Sequence, residues 1–206
     1  MNKSTLVLLK TLVWAACLIP AARLTYGAIT NQLGADPTRT ITFMSGLAAL
    51  RLLVISLAIT PARQLFPRLS WLIKFRRLLG LFAFFYASLH LFAYVGLYSY
   101  FDPHTMVTDI LKRRFITVGI AAWLLLVPLA ITSTTGWIRR LGGKRWNQLH
   151  KLVYVSVCLG LLHYWWQVKT GVLSPLGITL VMAALFVARP LLDWRKRRKV
   201  ANARAA

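Results

Sequence analysis

The stretch GKRWNQLHKLVYVSVCLGLLHYWW, from Gly143 to Trp166, sets His150 and His163 thirteen positions apart along an otherwise apolar segment. A third histidine, His90, lies inside a second apolar run, FAFFYASLHLFAYVGL. Imidazole at such places serves either as a metal ligand or as a proton relay, and its depth and neighbours decide which. The fourth histidine, His104, follows Asp102-Pro103 and reads as a solvated residue in a connection.

The elements that carry the three rings follow from composition. Of 206 residues 58% are hydrophobic, and 26 Lys and Arg face only 4 acidic residues, all Asp, for a net charge of +22. A basic soluble domain would interleave its charge with polar residues. Here long apolar runs alternate with short basic clusters, and each run approaches the ~20 residues that cross a bilayer core. Six runs are expected, at about 6–28, 42–61, 78–98, 116–132, 149–168 and 174–192. The fold class is therefore all-α, a polytopic membrane bundle of about six helices over 1–194 with a basic, unstructured tail at 195–206. No connection is long enough for a folded extramembrane domain. No internal repeat is evident.

Orientation follows from the basic clusters, which are retained on the cytoplasmic side. The 2–3 connection holds Arg63, Arg68, Lys74, Arg76 and Arg77, the 4–5 connection Arg139, Arg140, Lys144 and Arg145, and the tail Arg195 to Lys199. The 1–2 and 5–6 connections offer only Arg39 and Lys169, so both termini are expected in the cytoplasm. Lys112, Arg113 and Arg114, in the 3–4 connection, depart from the rule. The first run, bracketed by Lys10 and Arg23 and interrupted by Pro20, reads as an uncleaved first helix rather than a signal peptide.

In that frame His90 lies roughly 18 Å and His163 roughly 21 Å above the cytoplasmic ends of their helices, at 1.5 Å per residue. Two neutral imidazoles at one depth are what a six-coordinate haem iron needs as axial ligands. Gly80, Ala83 and Ala87 lie below His90 on its helix face, and Ser156 and Gly160 stand in the same relation to His163, leaving a slot between helices. His150 lies roughly 20 Å lower on its helix, which suits a second station. The matching level on helix 3 holds Arg76 or Arg77, and arginine cannot ligate iron, so this is a half-site. Either arginine suits a haem propionate or a flavin phosphate. Arg51, in mid-helix 2, costs ~2.5–3.5 kcal/mol at membrane depth unless an anionic partner meets it. Cys17 and Cys158 read as small buried hydrophobes, and no C-x-x-C-H offers a covalent haem anchor.

Beyond these arguments the chain resembles a known family, the haem-binding membrane subunits of bacterial methionine sulfoxide reductase systems (MsrQ, formerly YedZ). The resemblance lies in Leu33-Gly34-Ala35-Asp36-Pro37, the LAIT segment ending at Pro61, RRLLGL from Arg76, LHLFAY from Leu89, and TSTTGWIRRLGGKRWNQLHKLVY from Thr132 to Tyr154. It implies a b-type haem protein, with one haem or two, in the ferric-reductase-like transmembrane superfamily of the bacterial inner membrane. Electrons would come from the quinone pool or from a cytoplasmic reductase through flavin (FMN), and pass to a periplasmic molybdopterin methionine sulfoxide reductase (MsrP) that repairs oxidised proteins. The family's haem histidines fall on His90, His150 and His163. Reduction of the final substrate is not expected in this chain. Two rival readings are a transporter using the histidines as a proton relay, which lacks the membrane carboxylates it would need, and a structural anchor without cofactor.

Overall fold

The computed structural model describes residues 2–168 and 173–205, and among them regular structure is entirely helical. The elements are α1 (Lys3–Ile29), α2 (Pro37–Leu65), a 3-10 segment (Pro67–Phe75), α3 (Arg76–Ala93) with a π turn at Tyr94–Tyr98, α4 (Pro103–Lys112), α5 (Arg114–Ile131), α6 (Thr135–Leu149), α7 (Leu152–Gln167) and α8 (Leu173–Ala205). Helix starts are encoded locally. Pro37 and Pro103 occupy first-turn positions where a missing N–H costs nothing, and the preceding Asp36 and Asp102 accept bonds from the exposed amides of Arg39 and Thr105. Thr134 caps α6 in the same way, through the amide of Trp137.

Five helical stretches among the described residues are long and apolar enough to cross a membrane: Lys3–Ile29, Pro37–Leu65, Pro67–Tyr98, Arg114–Ile131 and Pro175–Arg195. The fifth expected run is shorter than the sequence suggests. Its first residues belong to a turn at His150 and Lys151, and α7 keeps 16 residues, about 24 Å at 1.5 Å each. Leu149 itself closes the preceding helix, the basic, Trp-bearing α6, which is kinked at Gly142, whose φ of 71° is open to glycine at no steric cost. The basic tail also differs from expectation, because α8 continues through it to Ala205.

Helices α2 and α3 pack as one hairpin and α5 and α7 as another, with α8 against α2 and α7. Their shared core centres on Leu57, Ala83, Val157 and Met182, each at most 2% exposed. Val7, Leu8, Trp14 and other large apolar side chains of α1 face outward, as a lipid-facing helix requires.

The attachment of α1 depends on one hydroxyl. Pro20 interrupts its hydrogen-bond ladder, and the fully buried Tyr86 of α3 bonds both members of one helical pair, donating to the Cys17 carbonyl at 2.6 Å and accepting from the Ala21 amide at 3.0 Å. Tyr86→Phe removes the link between α3 and α1 and leaves those two backbone groups only each other. We expect a loss of about 0.5–1.5 kcal/mol, read as a lower thermal unfolding midpoint in detergent. An unchanged midpoint would mean that α1 is held by packing alone.

Candidate functional site

His90 and His163 meet across the space between the two hairpins. Each ring is fixed by the backbone of its hairpin partner: His90 Nδ1 donates to the Thr42 carbonyl of α2 at 2.8 Å, and His163 Nδ1 to the Phe115 carbonyl of α5 at 2.7 Å. A carbonyl can only accept, so the proton sits on Nδ1 in both rings and Nε2 keeps its lone pair. The neutral, ligating tautomer is thereby selected. The ring centroids are 5.7 Å apart with planes at 83°. A metal–imidazole bond of roughly 2 Å on each side, plus about 1 Å from each nitrogen to its ring centre, sums to roughly 6 Å, close to the observed spacing.

These bonds are possible because both rings lie directly on helix backbone. A methyl group on Gly46 would stand 2.9 Å from His90 Nδ1 and 3.0 Å from its Cε1, and one on Gly119 would stand 2.8 Å and 3.0 Å from the same atoms of His163. No other residue type fits without moving the imidazole.

The two seats are copies of one device, and this corrects the expectation that the chain holds no repeat. Each histidine follows the carbonyl it bonds by 48 residues, and each glycine follows that carbonyl by four. The carrier helices agree in sequence: Gly46-Leu-Ala-Ala-Leu-Arg-Leu-Leu-Val54 stands beside Gly119-Ile-Ala-Ala-Trp-Leu-Leu-Leu-Val127. That pattern was the available signal for the two glycines, which the helical periodicity around the histidines could not reveal.

A cavity of about 1240 Å³ opens between the hairpins, lined by both histidines and both glycines. Ala83, Ala87, Ser156 and Gly160 line it too, while Gly80 lies outside, with Ser56 Oγ 3.9 Å from where its Cβ would be. Among the described residues no group of three or more His, Cys, Asp or Glu converges. An ion held by the two imidazoles would find no third His, Cys, Asp or Glu beside them, and a flat, mostly apolar tetrapyrrole that brings its own four nitrogens fits the space and the donor set.

The other expected site residues lie elsewhere. His150 stacks on Trp146 at 3.8 Å between ring centroids and donates from Nδ1 to the Trp146 carbonyl at 3.1 Å, leaving Nε2 buried without a hydrogen-bond partner. Arg76 is within electrostatic range of it and donates to Thr60 Oγ1 at 3.4 Å. Arg189 of α8, which sequence reasoning passed over inside an apolar run, lies close to Arg76, donates to Tyr154 Oη and the Leu57 carbonyl, and keeps its Nε unpaired. Arg77 is separated from this cluster: one residue turns a helix by 100°, and it faces outward on a groove between α1 and α3 with Lys10 and Lys74. The same turn places Arg51 on the outer face of α2 while its neighbour Leu50 lines the cavity, so the buried anion expected opposite Arg51 is not required. His104 is exposed at the start of α4, and both cysteines are free thiols, Cys17 buried and Cys158 exposed.

Residues 45–161 match the family described as ferric reductase like transmembrane component. The chain is also 47% identical over 196 residues to a protein of Herminiimonas arsenicoxydans named protein-methionine-sulfoxide reductase heme-binding subunit MsrQ, covering 94% of this chain and 89% of that one. Proteins of the same name from Ralstonia nicotianae and Caulobacter vibrioides are 45% and 46% identical, covering 94% and 89% of this chain and 90% and 84% of theirs.

Proposed function

Because the chain belongs to the MsrQ family of ferric-reductase-like transmembrane proteins, we propose that it is a b-type haem electron carrier of the bacterial inner membrane, with His90 and His163 as axial ligands of one iron. The observation that carries this is the pair of imidazoles from different hairpins, each locked by a backbone carbonyl into the tautomer that leaves Nε2 free. A proton relay would not need both rings fixed in one tautomer, since relaying exchanges the proton between ring nitrogens.

A haem bound there supplies a one-electron store in a layer that no free charge crosses. The protein's part is to hold both rings, exclude water with the apolar walls of the cavity, and set the site at one end of the bundle. His150 and Arg76 mark the other end, where the donor, quinol or a flavin (FMN) delivered by a cytoplasmic reductase, meets the chain. Two haems per chain would assign the second to His150 at that end, and one per chain leaves His150 to the donor contact alone. The acceptor is a periplasmic molybdopterin methionine sulfoxide reductase (MsrP), a separate polypeptide that performs the substrate chemistry.

The direct test is a visible spectrum of the purified protein, oxidised and then reduced with dithionite. A Soret band that shifts and sharpens, with stoichiometric haem, is expected. A colourless, correctly folded protein would leave the anchor or the transporter.

Direction is tested separately. The proposed topology has both termini in the cytoplasm, supported by the basic connections, with the 16-residue α7 counted as a short sixth crossing. In a Cys17→Ala, Cys158→Ala background, Gln32→Cys is expected to react with an impermeant maleimide from outside intact cells, and Arg139→Cys only after lysis. The opposite pattern would reverse the route.

A further inference from the structure

We propose that Arg39 and Arg113 form a two-point clamp for the pair of side-chain carboxylates on the tetrapyrrole, fixing its acidic edge at the cavity end nearest the α1–α2 and α4–α5 connections. The proposal rests on the haem reading above and adds an orientation to it.

Among the described residues, Arg39 and Arg113 are the two Lys or Arg side chains that line the cavity. They occupy corresponding places in the two hairpins: Arg39 precedes the Thr42 seat by three residues in the first turn of α2, and Arg113 precedes the Phe115 seat by two at the start of α5. One cation thus stands on each side of the same opening. Deeper in, Leu53, Leu126 and Val157 line the cavity and offer nothing to an anion. A ligand with one apolar edge and one edge bearing two carboxylates fits in a single sense.

The neighbouring acids do not cancel the clamp. Asp36 also lines the opening, but its carboxylate accepts from the Arg39 backbone amide at 2.9 Å, where the α2 N-terminus meets its charge. Asp109 binds Arg113 through Nε at 3.0 Å and accepts from Tyr94 Oη at 3.1 Å. That contact orients the guanidinium by its Nε and leaves the terminal nitrogens for a second carboxylate, the geometry in which arginine binds carboxylates most strongly. The Arg113 side chain is 56% exposed, so the anion it meets stays partly hydrated at the rim. The clamp also accounts for a basic residue in the one outer connection that departs from the positive-inside pattern.

The test compares ferric haem with its dimethyl ester, in which both side-chain carboxylates are capped and uncharged, titrated into full-length apo-protein made under haem limitation and held in nanodiscs. The wild type is expected to bind haem at least about tenfold more tightly than the ester. In Arg39→Gln/Arg113→Gln that preference disappears while the ester's affinity stays at the wild-type value, which also reports an intact cavity. Each single variant loses part of the preference, and if the double variant binds neither ligand the singles carry the comparison. Equal binding of haem and ester by the wild type overturns the clamp, as does full preference in the double variant or, where it cannot bind, in both singles. A wild type that binds neither ligand contradicts the haem reading itself, and the clamp falls with it.

Discussion

Replacing either His90 or His163 with alanine is expected to abolish the low-spin signal of one and the same haem. On the proposed assignment each substitution removes one of two axial ligands while the other ring keeps its carbonyl bond, at 2.7 Å for His163 and 2.8 Å for His90. The product is a five-coordinate or water-ligated high-spin iron, visible as a broadened Soret band and an axial electron paramagnetic resonance signal. The two variants should look alike, because the rings, with centroids 5.7 Å apart, share one site. Adding imidazole to the purified variants should restore low-spin haem. Retention of the full low-spin content in either one would break the pairing.

The second large effect is expected from a single methyl group. In Gly46→Ala or Gly119→Ala the new Cβ would overlap a ring nitrogen at 2.9 Å or 2.8 Å. A helix interior does not yield, so the imidazole moves and its Nδ1 bond lengthens or breaks. Loss of such an outer partner typically weakens metal binding ~10–100-fold, and we expect a fall in retained haem of that order in both variants. Haem that remains should have a more positive midpoint potential, since an imidazole without its carbonyl partner is a weaker base and favours ferric iron less. Gly80→Ala is the control. Its methyl would meet only Ser56 Oγ, at 3.9 Å, and haem content should be unchanged. Equal behaviour of all three alanine variants would show that the seats do not set the ligands.

The contrast between histidines and glycines shows what sequence reasoning reaches. His90, His163 and the small residues Ala83, Ala87, Ser156 and Gly160 lie one helical turn or two from one another, within the reach of 3.6-residue periodicity. Gly46 and Gly119 act on rings in other helices, and only hairpin packing joins them to His90 and His163. The matched GxAAxxLLV segments carry the signal: their three small residues alone read as generic packing of membrane helices, but six identities in nine, at the same distance from a histidine, do not.

Arg51 and Arg77 fail for a related reason. Depth along a helix can be counted from its end, but the angle around the axis needs a neighbour to define it, and Leu50 rather than Arg51 lines the cavity. Arg76 and Arg77 are told apart only by their neighbours: Thr60 of α2 and Arg189 of α8 on one side, Lys10 of α1 on the other. The extent of α7 is not legible in the sequence because Leu149 adjoins the apolar run, while the turn at His150 and Lys151 ends α6 and lets α7 begin only at Leu152. Arg189 was hidden by the hydrophobicity around it; its partners, Tyr154 and the Leu57 carbonyl, come from α7 and α2.

The most direct test of the central claim is the near-infrared magnetic circular dichroism of the oxidised wild-type protein, where the position of the ferric charge-transfer band reports the pair of axial ligands. The account predicts a band of the bis-imidazole class, lost in both His90→Ala and His163→Ala. A band of another ligand class in the wild type, or a bis-imidazole band that survives both substitutions, would contradict it.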